Sequence, residues 1–291
     1  MVTSDLVAWV ALSLIDHLGS QKITALKAHF GSLSAVILAS ASELRAVRGI
    51  GEKLSASITQ INLEKTERSL RQWVAKHVQI IPLTSQDYPP HLRRISDPPA
   101  TLFALGNKKL LKQQKAVAIV GTRQPTPDIK TRVMALSTHL VEREIIVVSG
   151  LALGVDAAAH LGALSLPTSQ TIAVLGSGVL NLYPSEHQAL GQAVIDRGLL
   201  LSEVHPEARA KATSLVARNR LISGLSKAVV IAQTEVDGGA MHAARRAIAQ
   251  NVPVFVFDIP ASGNQALLSD GAIPLAESPP LAVTQIETYF L

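Results

Sequence analysis

The chain reads as an α/β protein: a Rossmann-like open, mostly parallel sheet with a small all-helical region in front of it. Three observations carry this. Six short apolar runs recur from residue 116 onward: AVAIVG (116–121), IIVVSG (145–150), TIAVLG (171–176), GLLLSE (198–203), AVVIAQT (228–234) and PVFVFDIP (253–260). They are nearly unbroken in Val, Ile, Leu and Ala, the pattern of strands buried on both faces. Helical patterns such as DIKTRVMALSTHLVER and GGAMHAARRAIAQ separate most of them, and that alternation predicts a parallel sheet covered on both sides. Residues 1–76, by contrast, carry helical patterns and no strand signal.

Within residues 1–76, the stretch ASELRAVRGIGEKLSASITQ places Gly49-Ile50-Gly51 between two helical patterns, a helix-hairpin-helix (SAM-like) arrangement. The glycines permit a tight turn and expose backbone N–H groups. Such a turn either holds a phosphate or only packs two helices; the flanking charges (Arg45, Arg48, Glu52, Lys53) are mixed and leave both readings open. Residues 77–108 form a connector and sheet extension, in which VQIIPLT and TLFAL bracket YPPHLRRISDPPA. Prolines at 89, 90, 98 and 99 exclude a continuous helix there. Residues 109–291 are the Rossmann-like core.

Composition narrows the function. In 291 residues, 47% are hydrophobic and 17% charged, which is a core-forming balance and excludes a disordered chain. There is no cysteine, so disulfides, zinc–thiolate sites and cysteine nucleophiles are excluded. The N-terminus has Asp5 and Asp16 and no basic leader, and no apolar run reaches the roughly 18 residues of a membrane span; neither a signal peptide nor a membrane segment is expected. The formal net charge is +5, which permits an anionic partner. It is concentrated: Lys108 to Arg132 holds seven basic residues against Asp128, and His205 to Lys227 holds five against Glu207.

Ligands of an open parallel sheet bind outside the carboxyl ends of its strands. Those ends carry Gly121-Thr122-Arg123, Ser149-Gly150, Gly176-Ser177-Gly178, Ser202-Glu203, Thr234-Glu235 and Asp258. TIAVLGSGVLNLYP resembles a dinucleotide fingerprint, but Asn181 replaces its third glycine and Asp196 falls in a helical stretch rather than at a strand end. No nicotinamide-type or other cofactor is expected, and no metal. The turn Gly176-Ser177-Gly178 either offers its N–H groups to a phosphate or makes a close strand–helix turn. Asp156 and His160 share a helix face, with no nucleophilic serine or metal cluster beside them; both are read as structural, His160 fixing a neighbouring loop. Arg218 and Arg220 would diverge by roughly 200° on a helix, so one is expected to hold a phosphate and the other to anchor a loop. Arg218 is assigned to the ligand and Arg220 to the anchor. Aromatic residues are only 3% of the chain, too few for a long base-stacking platform, with Tyr183 the one aromatic near the rim. Binding should rest on phosphate contacts and be salt-sensitive, with a slope of about −0.7 per phosphate on single strands.

Eight ordered motifs, YPPHLRRISDPPATLFALG, VAIVGTR, VSGLALGVDAAAH, TIAVLGSGVLNLYP, LLSEV, ARNRLISGLS, DGGAMHA and GNQALLSDGA, closely resemble the DprA/Smf family of DNA-processing, recombination-mediator proteins. The resemblance runs from about Tyr88 to Ala272. It implies a cytoplasmic, non-enzymatic homodimer that binds single-stranded DNA and loads RecA recombinase onto incoming DNA in natural transformation. It also implies DNA-binding roles for Gly121, Thr122, Arg123, Gly176, Ser177, Gly178, Arg218, Asn219 and Arg220, with Lys211 carried over near a family lysine, and structural roles for Asp156, His160, Gly238 and Gly239. Family members usually have Phe-Pro where this chain has Leu215-Val216, and Ser-Gly-Ser/Thr where it has Asp237-Gly238-Gly239. Many also carry a C-terminal winged-helix domain, which is not expected here. Two other readings stay open: a phosphoribohydrolase-like enzyme acting on nucleotides, for which the glycine loop and its glutamate are incomplete, and a protein-interaction module that has lost DNA affinity.

Overall fold

The computed structural model describes residues 2–290. Six helices come first: α1 (Ser4–Ser13), α2 (Ser20–Phe30), α3 (Leu33–Leu38), α4 (Ala41–Leu44), α5 (Glu52–Thr59) and α6 (Leu63–Ala75). Side chains start several of them. Thr3, Ser32, Ser40 and Asn62 each accept a backbone N–H of the first turn, and the Glu43 carboxylate accepts the Ser40 N–H at 2.8 Å, completing a capping box on α4. Gly49 takes a φ of +88° in the turn between α4 and α5, a conformation that penalises any other side chain.

A single nine-stranded sheet follows, built from β1 (Gln79–Pro82), β2 (Thr101–Gly106), β3 (Ala116–Val120), β4 (Ile146–Ser149), β5 (Thr171–Leu175), β6 (Leu199–Ser202), β7 (Ala228–Ile231), β8 (Val254–Phe257) and β9 (Ile273–Leu275). Its order is β1-β2-β6-β5-β4-β3-β7-β8-β9. The six apolar runs are β3 to β8, and all pair in parallel. β1 and β2, from the connector, extend the sheet antiparallel at one edge. The short ninth strand, parallel to β8, carries Pro274 and too few apolar residues to stand out in the sequence.

Eight further helices cover the sheet: α7 (Pro127–Glu142), α8 (Val155–Ala163), α9 (Gln188–Arg197), α10 (Ala212–Ala217), α11 (Asn219–Gly224), α12 (Gly239–Ala249), α13 (Ser262–Ser269) and α14 (Pro279–Glu287). The period of two in a strand divides the core into two layers. On β3, Ala116, Ala118 and Val120 pack with Leu221, Ile222, Met241 and Ala244 of α11 and α12, while Val117 and Ile119 pack with Val133, Leu136 and Ala158 of α7 and α8. The N-terminal helices share this architecture: Val7, Val10, Leu70 and Trp73 join Phe103, Leu105 and Leu200 of the sheet in one cluster. Among the described residues no helix is long and apolar enough to cross a membrane.

The chain runs outward from β3 through β4, β5 and β6 on one side, then returns to β7, β8 and β9 on the other. The connections after β3 and β7 therefore diverge to opposite faces. The crevice between them is the topological switch point, where sheets of this kind bind ligands.

Candidate functional site

A cavity of about 620 Å³ opens at this switch point, lined by Gly121, Thr122 and Arg123 after β3 and by Thr234, Glu235, Asp237, Gly238 and Gly239 after β7. The loop after β3 is held from both sides. Thr122 N donates to Gln233 O at 2.7 Å, Thr126 N donates to the Gln233 side chain at 3.1 Å, and Val155 N donates to Thr122 O at 3.1 Å. Glycine at 121 is a packing requirement: a Cβ there would come within 2.6 Å of Val155 and 2.9 Å of Gln233 O. With its backbone fixed, the loop presents Arg123 as an exposed cation that forms no ion pair among the described residues.

Opposite Arg123 lies the amino terminus of α12. Its N-cap, Gly238, supplies no capping side chain, and a Cβ on Gly239 would meet nothing. The first N–H groups of this helix border the cavity with the positive end of the helix dipole. Gly238 is fixed by packing, since a Cβ would fall on Thr234 Oγ1 and 2.9 Å from Glu235 O. Glu235 turns away to Ser262, whose N–H and hydroxyl both donate to its carboxylate. Asp237 stays exposed on the cavity wall.

Deeper in the cavity wall the groups pair with one another. Arg218, expected as a phosphate ligand, lines both this cavity and a smaller pocket beside Arg123, with its donors turned inward. It is 7% exposed; its guanidinium donates to Gly150 O and, at 2.7 Å, to Val174 O, and lies 3.8 Å from the Asp156 carboxylate. It thereby ties the ends of β4 and β5 to the α10–α11 junction, and its bulk is why residue 150 is glycine: a Cβ there would land on the guanidinium. Asp156 also accepts the N–H groups of Gly150 and Ala152 at 3.1 and 3.3 Å, folding the loop onto α8. Burial pushes the Asp156 carboxyl up and the Arg218 guanidinium down, each partly offset by the charge of the other.

Arg220 sits apart from the cavity lining, bound to Glu203 at 2.5 Å and Asp97 at 3.4 Å. Asn219 lines the cavity, whereas Lys211 stands exposed at the start of α10, outside the lining. Asp156 and His160 turn to different partners. His160 Nδ1 lies 2.7 Å from Thr171 Oγ1, and that hydroxyl donates to Val147 O, so Nδ1 carries the proton and Nε2 is a bare, buried lone pair. Burial pushes this imidazole down to about 3.

The Gly176-Ser177-Gly178 turn, expected to offer N–H groups to a phosphate, is covered by α10 and the 205–208 loop. A Cβ on Gly176 would come 2.8 Å from Leu215 Cα, and one on Gly178 would fall on the carbonyls of His205 and Pro206. Gly178 N already donates to Ala208 O at 2.9 Å, and Ser177 is 1% exposed. These glycines admit α10 and the 205–208 loop onto the strand ends, and the Gly178 N–H is taken up by that loop. The basic run from Lys108 to Arg132 divides likewise. Only Arg123 reaches the cavity, Arg132 lies over the Phe257 ring at 4.5 Å, and Lys108 to Lys115 precede β3 at the opposite end of the sheet.

Sequence reasoning missed Gln233 and Asn264. Asn264 accepts Thr234 N at 2.8 Å and donates to Ala232 O and Phe257 O, pinning the loop after β7. Gln233 is the polar residue inside the run AVVIAQT, which is the one signal that pointed to it. Beside Arg123 a smaller pocket is walled by Leu153, Tyr183, Pro184 and Leu215.

The family model and the curated relatives point to one family. The family model described as DNA recombination-mediator protein A matches residues 79–283. A DNA processing protein DprA of Bacillus subtilis is 35% identical over 213 residues, covering 72% of this chain and 71% of its own length. The X-ray structure of DprA from Streptococcus pneumoniae superposes with a TM-score of 0.80 at 27% identity, over 98% of both chains. The Helicobacter pylori DprA structure, described for its single-stranded DNA binding mode, matches with a TM-score of 0.66 at 32% identity, over 73% of this chain and 97% of that one.

Proposed function

The chain belongs to the DNA recombination-mediator protein A family, and on that premise we propose that it binds single-stranded DNA through the switch-point cavity. The observation that carries this reading is Arg123: an exposed guanidinium with no acidic partner among the described residues, on a rigid loop, facing the uncapped amino terminus of α12. Both groups favour an anion, and the arginine fork matches the two oxygens of a phosphodiester. Thr122 and Asn219 add polar side chains to the same wall. The DNA-binding set therefore centres on Gly121, Thr122, Arg123, Asn219 and the start of α12. Arg218 lines the same cavity while holding Gly150 and Val174, and Gly176, Ser177 and Gly178 pack behind it.

The protein acts as a mediator rather than an enzyme in this reading. Two of the three carboxylates that line the cavity have structural duties: Asp156 holds Arg218 and two N–H groups, and Glu235 holds Ser262, which leaves Asp237 exposed. The bound strand would be passed to a RecA-type recombinase in the cytoplasm. Self-association through the core is supported by α14 and the residues after it, which leave Leu281 64% and Tyr289 43% exposed.

Titration of labelled single-stranded and double-stranded oligonucleotides across a salt series tests the reading. Preferential, salt-sensitive binding of the single strand is expected. Release of adenine from AMP would replace this reading with a hydrolase. Recombinase capture without oligonucleotide binding would replace it with a protein-interaction module, which the exposed Asp237 favours.

A further inference from the structure

The basic run that failed to reach the cavity builds a surface of its own. Lys115 precedes β3 and Lys227 precedes β7, and these two strands are neighbours. Lys227 N donates to Ala116 O at 2.8 Å, so the two lysines leave the sheet side by side at its amino edge. The 3-10 turn Lys108–Lys112 lies against the same edge. Its Leu110 and Leu111 are 6% and 3% exposed and pack in one cluster with Tyr88, Leu92, Ala116 and Leu225. Arg94, on the turn that carries Leu92, extends the patch: together with Lys227 it depresses the basicity of half-buried His91, after the larger effect of burial.

This surface is rigid and cationic. Asp87 holds Lys108 at 2.6 Å and Lys112 at 2.9 Å. Glu142 and Glu144, exposed before β4, and Asp270, exposed before β9, are acids on the amino side of the sheet. Lys109, Lys115, Lys227 and Arg94 form no ion pair among the described residues. The segments that carry these cations, residues 91–95, 107–116 and 226–228, contain none of the exposed large hydrophobic side chains of the described residues. Ile248, in the last turn of α12, is exposed among Arg245, Arg246, Gln250 and Asn251. Protein interfaces are built around buried apolar or aromatic anchors, whereas tracking of a phosphate backbone needs only well-placed cations.

Resting on the single-stranded DNA reading above, we propose that the amino edge of the sheet, through Lys109, Lys115, Lys227 and Arg94, holds a second segment of the strand whose first segment occupies the switch-point cavity. The length of β3, at about 3.3 Å per residue, separates Lys115 from Arg123 by roughly 20 Å or more. A short oligonucleotide fills the cavity alone, and a long one wraps to the opposite edge.

The test compares oligo-dT of about 6 and about 30 nucleotides on wild type and on the triple variant Lys109→Gln, Lys115→Gln, Lys227→Gln, with thermal unfolding as a folding control. The single variant Lys109→Glu, on an exposed turn, repeats the comparison if the triple variant is unstable. Affinity for the long strand should fall at least about tenfold, and its salt slope should flatten by about 2, from three lost contacts at about 0.7 each. Affinity for the short strand should be unchanged. Equal long-strand affinity and slope in wild type and variant would overturn the proposal, and loss of recombinase capture with an unchanged slope would assign the face to an acidic protein instead. Failure of wild type to bind either length would count against the cavity reading and is separable from both.

Discussion

Asp156 and Arg218, from the start of α8 and the junction of α10 and α11, meet as a buried pair in the cavity floor, 3.8 Å apart and each less than 10% exposed. Around them converge the carbonyls of Gly150 and Val174 and the N–H groups of Gly150 and Ala152. The pair joins three strand-end loops, so the shape of the wall above depends on it.

Removing one member should be costly. Asp156→Asn leaves the Arg218 charge buried without a counter-charge, and breaking a pair of this kind typically costs about 3–5 kcal/mol. Urea unfolding should show a loss of that order, and Arg218→Ala a comparable one. The measurement that contradicts the anchoring role is a variant Arg218→Ala with wild-type stability and reduced DNA affinity.

Arg123 should behave in the opposite way. It is exposed and has no ion-pair partner among the described residues, so Arg123→Ala should leave the unfolding midpoint within experimental error. A hydrogen bond to a charged group contributes about 1.5–3 kcal/mol, so single-strand affinity should fall about 10- to 100-fold. The salt slope should decrease by about 0.7. Fluorescence anisotropy on the purified variant reads both quantities.

The contrast between these arginines marks what the sequence could disclose. Strands β3 to β8 were legible because burial on both faces leaves continuous apolar runs, and β9 was not because three edge residues including Pro274 leave none. Gly121-Thr122-Arg123 was legible because it directly follows such a run, and chain direction then puts it on the ligand rim. The identity of the freer arginine was not legible. Arg218 is buried by Gly150, Val174 and Asp156, which are remote in sequence and meet it only through the parallel pairing of β4 and β5. The same limit applies to Gly176 and Gly178. Glycine at a strand end fits either a bound phosphate or a crossing backbone, and only the position of Leu215 and Pro206 decides.

That decision has its own consequence. Gly178→Ala would drive a methyl into the Pro206 carbonyl, a backbone group with no freedom to rotate aside. Overpacking of this type costs about 1–3 kcal/mol, visible as a lower urea midpoint. If the glycine instead faced a phosphate, the substitution would weaken DNA binding and leave stability unaltered.

His160 predicts a pH dependence. Its folded pKa, pushed down to about 3 by burial, lies below the unfolded value of 6.5. Between these limits the unfolded chain binds a proton that the folded chain refuses, so stability falls as the pH drops. The contribution is fully present above about pH 6.5 and is lost progressively toward pH 3. At 1.36 kcal/mol per unit, the loss between pH 7 and pH 4 is roughly 3 kcal/mol. The variant His160→Gln keeps an amide that can donate to Thr171 Oγ1 and removes the titration. Urea unfolding of both proteins at pH 7 and pH 4 should show wild type losing about 3 kcal/mol more than the variant. The carboxylates that also protonate in this range are common to both proteins and cancel in the comparison. Parallel losses would mean that His160 accepts its proton inside the fold, and the buried Nε2 lone pair would then have to be reached by water.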